Sequence, residues 1–194
     1  MKEKETIMKI IAICGQKQTG KDLVANTIIT KLNENGITTR KLHFGDFTKP
    51  LIKQTFNLRD DKEYYDFCRQ IHTIMGRPVS GKQIVKTLQG KLRHNNGNLS
   101  IDHIESEIYA YKGFHREELD TSVLIITDLR FKEELKWCKA NNIKVVKVKR
   151  NSGIVDPTID ERDIDDFLCD VIVDNNGDEK DLEQEIIKKL PDML

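Results

Sequence analysis

Apolar runs alternate with segments of helical periodicity along most of the chain. The run MKIIAIC at residues 8–14 is almost continuously apolar, which predicts a strand buried on both faces of a parallel sheet. In the segment that follows, Val24, Ile28 and Leu32 recur at the i, i+4, i+8 spacing of a helix, and Gly36 fits the C-terminal end of that helix. Strands that alternate with helices indicate a wound α/β sheet.

The same alternation predicts four more strands, with an interruption in the middle of the chain. The strands are expected at residues 37–44, 122–128, 143–150 and 169–177. Between residues 60 and 120 three helical segments follow one another without a strand, which indicates a helical insert on the substrate side. Residues 151–169 are polar and contain Gly153 and Pro157, a composition typical of a lid-like loop. We therefore predict one domain over 1–194, a three-layer α/β/α fold with a mostly parallel five-stranded sheet.

Composition limits the classes of partner. The chain has 194 residues with 32 basic and 32 acidic side chains, so a general electrostatic grip on nucleic acid or on a membrane is not expected. The four cysteines are scattered without a C-x-x-C pair, which argues against zinc or a disulfide framework and favours the reducing cytoplasm. The apolar N-terminal run is far shorter than the ~20 residues of a membrane span, so we expect a soluble protein.

The segment GQKQTGK at residues 15–21 separates the first predicted strand from the first predicted helix. It has the G-x-x-x-x-G-K spacing of a phosphate-binding loop, in which successive backbone N–H groups point inward at an anion. The N-terminus of the helix adds about half a unit of positive charge. Lys21 is placed to reach the β- and γ-phosphates of a nucleoside triphosphate. The predicted ATP-binding residues of this segment are Gly15, Gln16, Lys17, Gln18, Thr19, Gly20, Lys21 and Asp22.

Asp22 stands where such loops normally have Ser or Thr, whose hydroxyl binds Mg²⁺. A carboxylate so close to a triphosphate would repel it unless a cation lies between them, so Asp22 is a candidate Mg²⁺ contact, direct or through water. An aspartate is also favourable in the first turn of any helix. Both roles are compatible with the sequence.

Acidic and basic residues follow the predicted strand at 122–128. Ligands of wound sheets gather at the carboxyl ends of the strands, and Asp128 closes this one, with Arg130 two residues later. Asp128 is a candidate for the Mg²⁺ shell, and Arg130 for neutralising charge on a transferring phosphoryl group. The alternatives are a helix N-cap at Asp128 and a surface arginine. Arg150, at the end of a later strand, is a further candidate for phosphate.

The acceptor side is less sharply defined. Asp46 and Lys49 follow the second predicted strand and are candidates for contact with an acceptor nucleotide, or else an N-capping aspartate and a solvated lysine. Four basic residues of the helical insert form a candidate anion-binding face, although such residues are often only a solvated helix surface: Lys82, Lys86, Lys91 and Arg93. Tyr64, Tyr65 and Phe67 are available for stacking on a base, with core packing as the alternative.

Taken in order, these segments resemble the deoxynucleoside monophosphate kinases carried by bacterial viruses, within the P-loop nucleoside monophosphate kinase group. The resemblance extends over most of the chain, and the family's loop often reads G-K-D, as it does here. A segment similar to F-A-D-x-x-K is found at residues 44–49, and one similar to D-x-R-F, with an acid shortly after, at residues 128–134. The closing D-x-V-I-D-N-x-G resembles DVIVDNNG at residues 170–177.

The resemblance implies transfer of the γ-phosphoryl group of ATP to a deoxynucleoside monophosphate, with Mg²⁺ as cofactor. The sequence itself is compatible with a monomer or a homodimer. It implies that Asn175 lies near the adenine of ATP and that Glu161 belongs to the acceptor side. The catalytic residues implied are Lys21, Asp128, Arg130 and Arg150, with Asp22 and Asp128 toward the metal. Those toward the acceptor are Asp46, Lys49, Lys82, Arg93 and Glu161.

The helical insert departs from the family pattern. A segment similar to T-P-R-Q-L-L-Q-x-L-G-T is replaced by SGKQIVKTLQG, so that Lys82 stands in place of an arginine. A lysine lacks the bidentate fork of arginine, which leaves the choice of acceptor open. Animal-type phosphomevalonate kinases share the G-K-D loop and a similar closing segment, and are one alternative. A nucleotide-binding regulatory protein without catalysis is another.

Overall fold

The computed structural model describes residues 8–16, 18–74, 97–151 and 168–194. In these ranges one sheet has the strands β1 Lys9–Cys14, β2 Thr38–His43, β3 Ser122–Leu129, β4 Lys144–Lys149 and β5 Val171–Asp174. The strand order is β2-β3-β1-β4-β5, and every neighbouring pair is parallel. The prediction of a mostly parallel five-stranded sheet is confirmed.

Helices connect the strands and lie on both faces of the sheet. Those in the described ranges are α1 Lys21–Glu34, α2 Thr48–Thr55, α3 Asp61–Ile74, α4 Gly97–Phe114, α5 Lys132–Ala140 and α6 Glu179–Met193, with a 3₁₀ turn at Arg116–Thr121. The sequence alternation of strand and helix is thus the alternation of the fold, interrupted between β2 and β3 by α2, α3 and α4.

Two hydrophobic clusters give the fold its three layers. Because side chains alternate along a strand, Ala12 and Cys14 of β1 face one cluster, while Ile11 and Ile13 face the other. The first cluster is completed by α4 and α5, and the second by α1 and α6. The buried helix residues involved are Ile104, Tyr111 and Cys138 on the first side, and Val24, Ala25, Ile28, Leu32, Leu182, Ile186 and Met193 on the second. The predicted α/β/α layering is confirmed.

The helical periodicity of the first connection also holds in detail. Val24, Ile28 and Leu32 are fully buried on one stripe of α1. Gly36 follows the helix with φ +73°, and its N–H donates to the Asn33 carbonyl, as expected for a glycine that ends a helix.

The helical insert is described in part. α3 and α4 lie within residues 60–120, and Tyr64 of α3 packs on Ile52 of α2 in a small separate cluster. Tyr64 is buried, which matches the core role considered for it. The predicted helix at residues 80–92 and most of the lid-like loop at 151–169 lie outside the described residues. Among the helices that are described, none has the length and apolar character needed to cross a membrane.

Candidate functional site

The candidate site lies where the carboxyl ends of β1, β2 and β3 meet. These three strands are neighbours and parallel, so the segments that follow them share one edge of the sheet. The loop after β1, Asp46 after β2 and Asp128 near the end of β3 are thereby brought to one region, as the sequence predicted.

Two glycines shape the loop between β1 and α1, which we call the cradle (residues 15–21, with Lys17 outside the described residues). Gly15 has φ +150° and Gly20 has φ +86°, a range that residues with side chains rarely adopt. A Cβ at Gly20 would lie 2.3 Å from Nδ2 of Asn175, and one at Gly15 would lie 2.7 Å from the Val148 carbonyl oxygen. The cradle therefore needs glycine at both positions, for space as well as for backbone conformation.

Asn175 supports the cradle from the far end of the chain. It follows β5, is 3% exposed, and donates from Nδ2 to the carbonyl oxygen of Thr19 at 2.8 Å. Its own backbone N–H donates to the Lys149 carbonyl at the end of β4. The described contacts of Asn175 are thus with the protein backbone, and they make it a structural support of the cradle. A contact with adenine stays a prediction.

The interior of the cradle is further ordered by Thr19 and Gln18. Thr19 is buried, and its hydroxyl donates to the Gln16 carbonyl oxygen at 2.8 Å. Gln18 has φ +65°, a left-handed conformation that costs a residue with a side chain roughly 1–2 kcal/mol. This turn is therefore tightly constrained even before any ligand is considered.

The ammonium of Lys21 lies against the cradle. Nζ donates to the carbonyl oxygens of Gly15 and Gln16, at 2.7 Å each. Lys21 is also the first residue of α1, so its charge is added to the positive end of that helix. The cradle thus combines a helix N-terminus with a lysine whose ammonium is already held beside the loop.

Asp22 lies in the first turn of α1 and points toward β2. Its Oδ1 is 3.0 Å from Nζ of Lys41, and the Asp22 side chain is 77% exposed. Lys41 also approaches Oδ1 of Asn26 at 3.3 Å. The first-turn position predicted for Asp22 is confirmed, and its contact with Mg²⁺ stays a prediction.

β3 contains a bulge where it reaches the site. Ala12 pairs with Ile126 whereas Cys14 pairs with Leu129, so β3 has one residue more than β1 over this stretch. Asp128 lies in the bulge with φ +70°. Bulges turn side chains away from the regular alternation of a strand. The alternative of Asp128 as a helix N-cap is wrong, because the N-cap of α5 is Phe131.

Asp128 and Arg130 form a close ion pair. The Oδ1 atom of Asp128 accepts from Nε of Arg130 at 2.6 Å, and Nη2 lies 2.5 Å from the same oxygen. Both side chains are largely buried, at 25% and 22% exposure. The acid and the arginine that the sequence placed two residues apart are therefore one unit in the structure, with the guanidinium oriented by the carboxylate.

The turn after β2 brings Asp46 and two residues that the sequence analysis missed. The carboxylate of Asp46 accepts from the backbone N–H of His43 at 3.0 Å, so it closes the turn and does not cap α2, whose N-cap is Phe47. Nδ1 of His43 lies 2.5 Å from the hydroxyl of Thr127, which directly precedes Asp128. His43 ends β2 and pairs with Thr127, which lies near the end of the neighbouring strand β3, and that position was the only signal by which they could have been identified.

Lys49 of α2 is bound to Asp61 at the start of the helical insert. Its Nζ lies 2.6 Å from Oδ2 of Asp61, and within 5.5 Å of the ring centres of Tyr64 and Tyr65. The hydrogen bond with Asp61 raises the pKa of Lys49 above its usual range. Lys53 shares the same carboxylate at 3.3 Å. Lys49 is therefore ordered and cationic, and its contact with an acceptor stays a prediction.

The remaining predicted site residues are not brought into this arrangement by any described contact. Arg150 follows β4 and is exposed. Lys82, Arg93 and Glu161 lie outside the described residues.

A thiol pair lies directly behind the cradle. Sγ of Cys14, the residue before Gly15, is 3.6 Å from Sγ of Cys169. This hydrogen bond, together with burial, raises the pKa of Cys14, while the same bond lowers the pKa of Cys169. The cysteines whose side chains are described, Cys14, Cys138 and Cys169, are all free, as the sequence predicted.

The described residues include no cluster of three or more His, Cys, Asp or Glu side chains that could hold a metal ion by themselves. Mg²⁺ is commonly held by one or two carboxylates together with the phosphates of a nucleotide. Asp22 beside the cradle and Asp128 at the bulge fit that smaller requirement in chemical type.

No protein-family model and no curated protein sequence matches the chain. Several solved structures are similar. The APS kinase of Mycobacterium tuberculosis, solved with AMPPNP and APS, has a TM-score of 0.48 and 13% identity, covering 95% of this chain and 98% of its own. Shikimate kinase from Aquifex aeolicus has a TM-score of 0.44 and 14% identity, covering 94% of this chain and 96% of its own. The strand order and the cradle define the fold of this chain independently of these similarities.

Proposed function

We propose that this protein is an ATP-dependent phosphotransferase that transfers the γ-phosphoryl group of ATP to a deoxynucleoside monophosphate. The observation that carries the proposal is the cradle. Its backbone is shaped by two glycines that tolerate no side chain, and the ammonium of Lys21 lies against its carbonyl oxygens at 2.7 Å.

The donor phosphates would be held by the backbone N–H groups of residues 15–22 and by the N-terminus of α1. In this reading Lys21 exchanges its hydrogen bonds with Gly15 and Gln16 for the β- and γ-phosphate oxygens. Asn175 holds Thr19 in place, so that the amides keep their direction when the phosphates bind.

Phosphoryl transfer demands little covalent chemistry of a protein, so positioning and charge neutralisation dominate. Bound Mg²⁺ would neutralise charge on the phosphates, and Asp128, with Asp22, would hold it. The guanidinium of Arg130, oriented by Asp128, would neutralise the transferring group. Arg150 is proposed to help neutralise the transferring group. Residues 151–169 are proposed to close over the site and exclude water.

The acceptor is proposed to occupy the side of the site formed by β2, α2 and the helical insert. Asp46 and Lys49 are proposed to face the acceptor, and Lys49 is held by Asp61 beside two tyrosine rings. Lys82, Arg93 and Glu161 complete the proposed acceptor set. The resemblance in motif order supports a nucleotide acceptor over other phosphate-bearing acceptors.

The test is a coupled assay of ADP release with a panel of acceptors on the wild-type protein and on Lys21→Ala. We expect acceptor-dependent ADP release with at least one deoxynucleoside monophosphate, and a loss of about 100-fold or more in kcat for Lys21→Ala with an unchanged circular dichroism spectrum. Lys62→Ala, at an exposed position of α3, is the matched control and should retain wild-type turnover.

The panel also includes phosphomevalonate. If phosphomevalonate is the one compound of the panel that is phosphorylated, the proposed nucleotide acceptor is wrong, whereas the proposed phosphotransferase activity is supported. Binding of ATP without ADP release from any acceptor would identify a nucleotide-binding protein instead. Near-normal activity of Lys21→Ala would contradict the proposed role of the cradle.

A further inference from the structure

Glu134 is a fully buried carboxylate beside the candidate site. It has 0% exposure and lies in the first turn of α5. Its Oε2 atom accepts from the backbone N–H groups of Arg130 at 3.0 Å and Phe131 at 3.2 Å. Its Oε1 atom accepts from the hydroxyl of Ser100 in α4 at 2.9 Å. One side chain thus joins the turn after β3, the start of α5 and the helix α4.

A helix cap alone does not account for these contacts. The N–H of Phe131 is the capping contact of α5, and an exposed glutamate or glutamine at this position would satisfy it. Burial of a carboxylate is costly unless its oxygens are hydrogen-bonded, so the contacts with Arg130 and Ser100 are part of what keeps Glu134 inside. Those two contacts lead in opposite directions, toward the ion pair of Asp128 and Arg130 and toward α4.

α4 also approaches the segment after β2, which is part of the proposed acceptor side. One turn after Ser100 it carries His103, whose ring centre is 6.3 Å from that of Phe47, the residue next to Asp46. The guanidinium of Arg130 is meanwhile held by Asp128, and its backbone N–H by Glu134. Glu134 is therefore the described side chain that links the arginine of the site to the helix along the acceptor side.

We propose that Glu134 is a positioning residue that fixes Arg130 relative to α4, so that an acceptor seated along α4 lies within reach of the guanidinium. This inference rests on the proposed phosphotransferase function. Glutamine at position 134 still accepts hydrogen bonds from the two N–H groups with one oxygen, but it presents an amide to Ser100. The link to α4 is then weakened while the helix cap is kept.

The experiment compares Glu134→Gln with Ser100→Ala, the double variant, and Glu133→Gln as the matched control, since Glu133 is its exposed neighbour. With ATP and acceptor varied separately, we expect Glu134→Gln to lower kcat roughly 10- to 100-fold and to raise the acceptor KM. The Kd for ATP, measured by calorimetry, should stay at the wild-type value. Ser100→Ala removes the link to α4 altogether, so it should show the same pattern at least as strongly, and the double variant should be no worse than Ser100→Ala. Glu133→Gln should behave as wild type.

A loss of thermal stability in Glu134→Gln with unchanged kcat and acceptor KM would overturn the inference. Glu134 would then serve only to cap α5. If Glu134→Gln does not fold, Ser100→Ala decides, because it removes one hydroxyl outside the cap: wild-type kinetics in that variant would overturn the inference. Absence of turnover in the wild-type protein would instead defeat the proposed function, and the inference with it. The two failures are therefore distinguishable.

Discussion

The two sides of the candidate site are built by different means. On the donor side, the cradle is shaped by backbone conformation and close packing, with Gly20 against Asn175 and Lys21 against its own loop. On the proposed acceptor side, the described contacts include the partly exposed ion pair of Lys49 with Asp61, beside the buried ring of Tyr64 and the exposed ring of Tyr65. A backbone-built site has one geometry, whereas a site of exposed ion pairs can be changed residue by residue. The donor side is thus expected to be intolerant of substitution and the acceptor side to be adjustable.

The largest effect that separates the two sides is expected for Gly20→Ala. A Cβ there collides with Nδ2 of Asn175 at 2.3 Å and is also strained by φ +86°. We expect ATP affinity to fall at least about 10-fold, because the cradle amides lose their direction. Gly36→Ala is the matched control, since Gly36 has φ +73° but no atom within 4 Å of an added Cβ.

Calorimetric titration with ATP and thermal unfolding measure this pair. Gly36→Ala should cost about 1 kcal/mol of unfolding free energy from backbone strain and leave ATP affinity unchanged. Equal loss of ATP affinity in both variants would show that the contact with Asn175 does not matter to the donor side.

A smaller, acceptor-specific effect is expected for Lys49→Ala. Lys49 and Lys53 share the carboxylate of Asp61, but Lys49 alone of the two is described beside Tyr64 and Tyr65. We expect the acceptor KM to rise about 10-fold in Lys49→Ala, with the Kd for ATP unchanged. Lys53→Ala is the control, and steady-state kinetics at saturating ATP measure both. The same rise of the acceptor KM in both variants would show that Lys49 acts through Asp61 and has no specific contact with the acceptor.

A still smaller effect, on the free energy of unfolding, is expected for Asp170, which lies outside the candidate site. Burial alone would raise the pKa of Asp170, but hydrogen bonds from the Lys139 ammonium and from the backbone N–H of Val145 outweigh it, so the folded-state pKa is lowered. The stabilisation is therefore complete above the unfolded-state pKa of about 3.9 and is lost as pH falls through the lower folded value. Asp170→Asn should cost about 0.5–1 kcal/mol at pH 7, since the pair is partly screened.

Urea unfolding of Asp170→Asn between pH 7 and pH 2.5 measures this effect, with the exposed Asp192→Asn as control. The difference between Asp170→Asn and wild type should shrink below about pH 4. A difference that stays constant over the whole range would show that the carboxylate charge is not its source.

The smallest effect concerns the thiols behind the cradle. The pKa of Cys169 is lowered by its hydrogen bond with Cys14, whereas burial raises the pKa of Cys138 to about 12. Because the thiolate is the reacting species, Cys169 should be alkylated by iodoacetamide several-fold faster than Cys138 near pH 7.5. Peptide mass spectrometry over a time course measures the two rates. Cys14→Ala, which removes the hydrogen-bond donor, should slow the reaction of Cys169, and an unchanged rate would contradict the role of the pair.

The sequence was most informative where local patterns determine the structure. Periodicity predicted the five strands and the buried stripe of Val24, Ile28 and Leu32. The spacing of the glycines predicted the cradle. Both are properties of short segments. The neighbouring positions of the cradle and Asp128 followed from the rule that carboxyl ends of parallel strands share one edge.

The sequence was least informative where contacts join distant segments. Burial of Glu134 depends on Ser100, 34 positions earlier, and support of the cradle by Asn175 depends on where β5 lies. The bulge at Asp128 arises from the pairing of β1 with β3. The sequence of either strand alone does not specify this pairing. Such features depend on tertiary packing, and a sequence pattern can at most name the residues that are available for them.

The hydrogen bond between Asn175 and Thr19 spans 156 positions and has a consequence for the order in which the protein is made. On the ribosome the N-terminal loop emerges long before the residues that brace it. The nascent chain therefore contains the cradle sequence before the cradle is supported by Asn175, since contacts of such long sequence separation form late. The proposed binding of ATP is then expected only after β5 and Asn175 have been made, and a nascent chain that ends before them is expected to bind no nucleotide.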